Sequence, residues 1–269
     1  MPDRLSPIDA SFLYMEEAST PMHVGGVAIF QVPDDGFDSD RLMELVDERL
    51  AMVPRYRQRV CSVPGGLAAP LWTDDANFDL NYHVRRSALP RPGTTEQLHE
   101  LVARVLSRPL NRDHPLWEIY FVEGMQDGRF AVITKTHQAL VDGISAIEIG
   151  EVLFDNAPEA PQPHERQWRP AHTPSDFRLV AEALSEIVQR PTALLDTARR
   201  GVLDVGRTMS RVGSAATGVL KVAQTVARTA PSSPLNVEIG ESRRFATTRA
   251  DLESFKAIRK AHGGDVNDV

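Results

Sequence analysis

The sequence predicts an α/β fold, and three features predict it. Phe130 to Ile133 is an apolar run of strand length, and behind it Ile144, Ile147, Val152 and Leu153 recur at helical spacing. Pro115 to Val122, turning through Gly124 to Gly128 into that run, reads as a hairpin. Upstream lie another strand-like stretch and two helix-period windows, so strands and helices alternate along the chain.

In chain order, His23 to Val32 is the first strand, with Gly25-Gly26 marking a close backbone approach or a bulge. Leu42, Leu45, Val46, Leu50 and Val53 give a helix, with Ser39 or Asp40 as its cap and Pro54 as its terminator. Arg55, Arg57 and Arg59 follow, suited to a salt-bridged edge or to phosphate groups. Thr94 and Gln97 form a capping-box pattern that opens a second helix through Leu98, Leu101, Val102, Val105 and Leu106, ending before Pro109. In the hairpin, Trp117, Ile119 and Phe121 share one face, as core or as the wall of an apolar tunnel.

Beyond residue 154 the pattern breaks. Pro158, Pro161, Pro163, Pro170 and Pro174 make 155–175 a linker. Helical spacing resumes with Phe177, Val180, Leu184, Ile187 and Val188, and after Pro191 a second tract runs from Leu194 to Ala230. There Arg199, Arg200, Arg207, Arg211, Lys221 and Arg228 outnumber Asp196 and Asp204. A basic amphipathic tract suits an anionic membrane or lipid-droplet surface. It equally suits a crossover whose apolar face packs on the body, and its four glycines weaken an isolated helix. Leu252, Phe255 and Ile258 lie on a last helix closed by Gly263-Gly264.

Composition narrows the function. With 269 residues, 42% of them hydrophobic, the chain buries a substantial core as one large domain or two small ones. A formal net charge of −7 argues against a phosphate-tracking nucleic-acid binder. Cys61 is the lone cysteine, so neither a disulfide framework nor a thiolate metal site is expected, and a reducing cytoplasm is the natural compartment. Asp3 and Asp9 sit where a secretory signal would be apolar, and no run of about 18 apolar residues occurs. Membrane contact is therefore expected to be peripheral.

The stretch Thr134-Lys135-Thr136-His137-Gln138-Ala139-Leu140-Val141-Asp142-Gly143 resembles the H-H-x-x-x-D-G signature of the bacterial wax ester synthase/diacylglycerol acyltransferase family. Ser6 to Met15, Phe78 to Val84, Leu89 to Gly93, Pro115-Leu116-Trp117 and Pro234-Leu235-Asn236 resemble further segments of that family. The resemblance implies the fold of CoA-dependent acyltransferases similar to chloramphenicol acetyltransferase: a mixed sheet flanked by helices, a helical crossover and a second similar half. It divides the chain into an N-terminal domain (1–154), the linker (155–175), the crossover (176–230) and the start of a second domain (231–269). An Asn-Asp pair opens a long helix of the family's second domain, whereas this chain stops at Asn267-Asp268-Val269. That implies a C-terminally truncated member with one wall of the active-site tunnel. An unpaired half exposes an apolar face, which predicts self-association.

The reaction so implied moves a fatty acyl group from acyl-CoA, a substrate rather than a bound cofactor, to diacylglycerol or a long-chain alcohol. The setting is the cytoplasm, at the inner membrane or lipid droplets. No metal is called for. The step needs a base for the hydroxyl proton, and imidazole, with a pKa of about 6.5, fits that task. His137 falls on the first His of the signature and Gln138 on the second, where the related acyltransferases carry their base. Gln takes up no proton. His137 is then either the general base or an inherited structural ring in a weak or inactive protein, a lipid- or partner-binding remnant. Asp142 is expected to be structural, an N-cap for the helix behind the turn, and Gly143 a turn residue. His83, beside Tyr82 and Val84, is a further candidate whose ordinary role is structural.

Overall fold

The computed structural model describes residues 3–141 apart from 35, 37 and 67, then 150, 153, 154, 168, 170, 171, 179, 181, 237 and 239–264. Asp142, Gly143, most of the expected helix behind them, nearly all of the 155–175 linker and the whole tract from 194 to 230 lie outside the described residues.

The frame is a four-stranded mixed sheet in the order β1-β6-β5-β4. Strand β1 is His23–Gln31, β4 Val84–Ala88, β5 Trp117–Met125 and β6 Arg129–His137. The β4–β5 pair is parallel, and β5–β6 and β6–β1 are antiparallel. Strands β2 (Gln58–Cys61) and β3 (Leu71–Asp74) pair separately. The expected hairpin is β5–β6, closed by a 3-10 turn at Gln126–Gly128. Its register shifts between Val122 and Met125, where Gly124 takes a φ of +81° that only glycine adopts freely.

A parallel pair needs a crossover, and helix α4 (Thr95–Leu106) supplies it between β4 and β5. Its start follows the capping-box pattern: Thr94 Oγ1 accepts the Gln97 N–H at 3.3 Å, and Gln97 Oε1 accepts the Thr94 N–H at 2.8 Å. Leu98, Val102 and Val105 pack it against Val122, Ala131 and Ile133 on one face of the sheet. The other face carries Trp117, Ile119, Phe121, Phe130 and Val132, covered by helices α1 (Pro7–Met15) and α2 (Ser39–Leu50) through Leu13, Val46 and Leu50. Helices on both faces of one sheet make the fold α/β, as expected.

Two local expectations change. The cap of α2 is Asp38, because its Oδ1 accepts the N–H groups of Asp40 and Arg41 at 2.9 and 3.1 Å while Ser39 is already helical. Pro54 does not end that helix, which stops at Leu50, but opens a 3-10 turn, Pro54–Arg57. A short helix, α5 (Gln138–Val141), follows directly on the end of β6, and the helix start expected at Asp142 lies outside the described residues. Gly25 does mark a close approach: a Cβ there would meet Leu106 Cδ2 at 2.6 Å. The last helix, α6 (Leu252–His262), ends at Gly263 with a φ of +77°.

Candidate active site at the end of β6

Strand alternation puts Lys135 and His137 on the sheet face that carries Ala131 and Ile133, yet both polar side chains are fully enclosed. Each therefore needs partners from its neighbours. Lys135 Nζ donates to the Val105 carbonyl at 3.1 Å and to that of Arg108, so the ammonium caps the negative end of α4. Glu118, its register partner on β5, lies 3.8 Å away and is held in turn by Tyr120 Oη at 2.8 Å and by Arg85 at 3.2 Å. Burial pushes the Lys135 ammonium below the usual lysine range, with Glu118 opposing it.

His137 closes the strand. Its Nδ1 accepts the Ala139 N–H at 3.0 Å, so in the neutral ring the proton sits on Nε2. Nε2 faces Glu16 Oε1 at 3.6 Å, an electrostatic contact too long for a hydrogen bond. Glu16, just past α1, accepts the Met22 N–H at 3.0 Å on one oxygen and Arg112 at 2.8 Å on the other. Burial pushes its carboxyl up, but the His137 ring, the Arg112 guanidinium and the Met22 N–H outweigh burial and bring it down to about 2. Arg112 also donates to the Leu13 carbonyl at 2.7 Å. Two segments distant from it in sequence, residues 13–22 and Arg112, are thus tied to the strand end through one carboxylate.

Gln138 is the first residue of α5 and half-buried, its backbone N–H donating to the Met22 carbonyl at 2.9 Å. Consecutive positions therefore differ in kind. His137 is sealed and bonded at Nδ1, whereas Gln138 keeps part of its surface open.

The other candidates fall in place. His83 is enclosed, stacked on Trp117 with ring centroids 4.5 Å apart and on Phe78 at 5.2 Å, and its Nδ1 donates to the Trp117 carbonyl at 2.8 Å. Burial lowers its pKa to about 4, so the ring stays neutral. Trp117 is core, its Nε1 donating to the Tyr56 carbonyl at 2.7 Å. Arg55 and Arg57 pair with Asp3 at 3.1 Å and Asp47 at 2.8 Å, which makes that stretch the expected salt-bridged edge. Cys61 is half-buried. Among the described residues no group of three His, Cys, Asp or Glu side chains gathers as metal ligands. No described helix is long and apolar enough to cross a membrane.

Comparison with known proteins decides the family. The model of the wax ester synthase/diacylglycerol acyltransferase catalytic domain matches residues 5–269. The chain belongs to this family. A relative described as a probable diacylglycerol O-acyltransferase, tgs3 of Mycobacterium tuberculosis, is 44% identical over 266 residues, 98% of each chain. Another, tgs2 of the same organism, is 34% identical over 281 residues; the match takes in 99% of this chain and 57% of tgs2. The solved wax ester synthase/diacylglycerol acyltransferase from Marinobacter aquaeolei VT8 superposes with a TM-score of 0.59 at 29% identity, over 99% of this chain and 57% of that one. The chain thus spans the length of one relative and a little over half that of two others.

Glu16 and Arg112 were not among the residues singled out from the sequence. Each lies far along the chain from His137. The one local hint is a glutamate following directly on the apolar run Phe12-Leu13-Tyr14-Met15.

Proposed function

We propose that this chain transfers a fatty acyl group from acyl-CoA to the hydroxyl of diacylglycerol or a long-chain alcohol at the end of β6, and that it does so slowly. The observation behind this reading is the division of labour between positions 137 and 138. His137 holds its Nδ1 lone pair on the Ala139 N–H and turns Nε2 to Glu16, so it positions the strand end instead of taking the substrate proton. Gln138 stands half-open where the family signature carries its second His.

The chemistry follows from the residue types. The alcohol oxygen attacks the thioester carbonyl, a C–O bond forms, the C–S bond breaks, and the hydroxyl proton ends on the CoA sulfur. The thioester is already activated, so no covalent enzyme intermediate is required. An imidazole at position 138 would take the hydroxyl proton as attack proceeds. The Gln138 Oε1 only accepts a hydrogen bond from that hydroxyl and orients it. Asp142 and Gly143 complete the signature in the sequence. Diacylglycerol resides at a lipid surface, so the chain meets this acceptor peripherally, at the inner membrane or a droplet.

The test is acyl transfer from a labelled long-chain acyl-CoA to diacylglycerol or hexadecanol, with the starting chain and Gln138→His side by side. Slow transfer that rises in Gln138→His by about 10²- to 10⁴-fold, the usual contribution of a general base, is the expected result. Glutamine at the base position also favours a second reading, a lipid- or partner-binding protein without turnover. Silence of both folded chains, with acyl-CoA still bound, would establish that reading instead.

A further inference from the structure

We propose that Glu16 is a positioning residue for the reaction: held by Arg112, its carboxylate sets the backbone at Gln138 through Met22. The inference rests on the reading of position 138 given above.

The β1–β6 ladder shows what the carboxylate replaces. Beyond one end of the paired strands the Val32 N–H donates to the Gly128 carbonyl at 2.8 Å, and beyond the other the Gln138 N–H donates to the Met22 carbonyl at 2.9 Å. Both bonds keep the register of the strands, in which Gln31 faces Arg129 and His23 faces His137. A bonded pair in an antiparallel ladder exchanges two hydrogen bonds, so a regular rung would return the Met22 N–H to the carbonyl of residue 138. Gln138 instead begins α5, and Glu16 Oε1 takes the Met22 N–H at 3.0 Å. The carboxylate thus stands in for the missing half of the last rung.

Met22 depends on that bond. Among the described residues β1 is an edge of its sheet, so no further strand flanks it. The chain reaches Met22 through a tight turn in which the Thr20 N–H donates to the Glu17 carbonyl at 3.0 Å. Its backbone is therefore located by Gln138 on one side and Glu16 on the other.

Glu16 is itself fixed from three directions. Its own N–H donates to the Phe12 carbonyl at 3.1 Å, which ties it to the end of α1. Arg112 donates to Oε2 from Nη2 at 2.8 Å and from Nε at 3.3 Å, and Nη2 is anchored in turn on the Leu13 carbonyl. The carboxylate is only 7% exposed, so these charge-assisted bonds are little diluted by water. His137 Nε2 stands 3.6 Å from Oε1, too far for a hydrogen bond, so the tie to position 138 runs through Met22 and not through the ring. Position 138 orients the attacking hydroxyl, and displacing such a group by about 1 Å costs about 10²-fold in rate.

The test is steady-state acyl transfer to diacylglycerol, per folded molecule, by the starting chain and by Gln138→His, each carrying Glu16→Leu, Glu16→Gln or Arg112→Met, with folding checked by near-ultraviolet circular dichroism. Glu16→Leu, which leaves the Met22 N–H without its acceptor, should lower kcat about 10²-fold while the KM for acyl-CoA moves by less than about threefold. Glu16→Gln, whose amide oxygen still accepts that N–H, should recover about tenfold, and Arg112→Met should lose about tenfold. The Arg112 side chain is 47% exposed, so its variant keeps the fold even if Glu16→Leu does not. Unchanged kcat in a folded Glu16→Leu or Arg112→Met chain would make the carboxylate a structural group only, overturning the inference and leaving the acyl-transfer reading standing. A raised KM with kcat intact would place Glu16 in substrate binding and overturn it too. No transfer by either parent chain would remove that reading and this inference together.

Discussion

The two ends of β6 are built on opposite principles. From Phe130 to Ile133 the strand is held by apolar side chains packed on both faces, and the turn before it is exposed, with Asp127 and Arg129 paired at 3.2 Å. From Thr134 to His137 every residue is polar and every one is buried. The apolar end is stabilised by area and shape, which many side chains approximate. The polar end depends on specific partners, and removing one strands another in a low-dielectric interior. Gln138, the position proposed as reactive, follows the polar end directly. A strand terminus fixed by hydrogen bonds and a buried carboxylate holds its last side chains more sharply than apolar packing does.

Substitutions at the two ends should separate these principles. The largest effect is expected for Lys135→Met, which leaves the carbonyls of Val105 and Arg108 without their donor and Glu118 with Arg85 as its remaining cation; urea unfolding should show a loss of about 2–3 kcal/mol. Ile133→Val, at an equally enclosed site on the apolar half, should cost about 0.5–1.5 kcal/mol in the same measurement. A larger loss from Ile133→Val than from Lys135→Met would break the distinction. Removing the exposed turn pair with Arg129→Ala should change stability by less than about 0.5 kcal/mol.

Acid sharpens the same contrast. Glu16 has a carboxyl pKa of about 2 against an ordinary 4.5, so the folded state binds the proton less well than the unfolded chain. Its contribution is complete above about pH 4.5 and is lost as pH falls toward 2. Thermal unfolding across that window should decline more steeply for the starting chain than for Glu16→Gln, and parallel curves would show that the carboxylate is not coupled to the fold.

What the sequence disclosed follows the same division. Helices α2 and α4, strand β1 and the β5–β6 hairpin carry long periodic patterns or a turn signature, and each was legible. Strands β2, β3 and β4 and helix α3 (Leu80–His83) span only four or five residues, too short for a period to show. Helix α1 is apolar nearly all round, so its face was not marked. The cap of α2 fell on Asp38 because three adjacent polar residues offered the same chemistry and only the backbone chose among them. At the site, the signature exposed His137 and Gln138. Glu16 and Arg112 stayed hidden because the carboxylate and guanidinium reach the strand end only through folding, from positions about a hundred residues apart.

The most direct test of the account is the pH dependence of acyl transfer in Gln138→His compared with the starting chain and with His137→Asn, whose amide oxygen can still accept the Ala139 N–H. The account predicts that Gln138→His is faster by about 10²-fold or more and gains a rate that rises with pH through the imidazole range, about 6–7. In that account His137→Asn retains the slow transfer of the starting chain. A starting chain that already shows the imidazole profile, and loses both profile and activity in a folded His137→Asn protein, would make His137 the base and contradict the assignment of position 138.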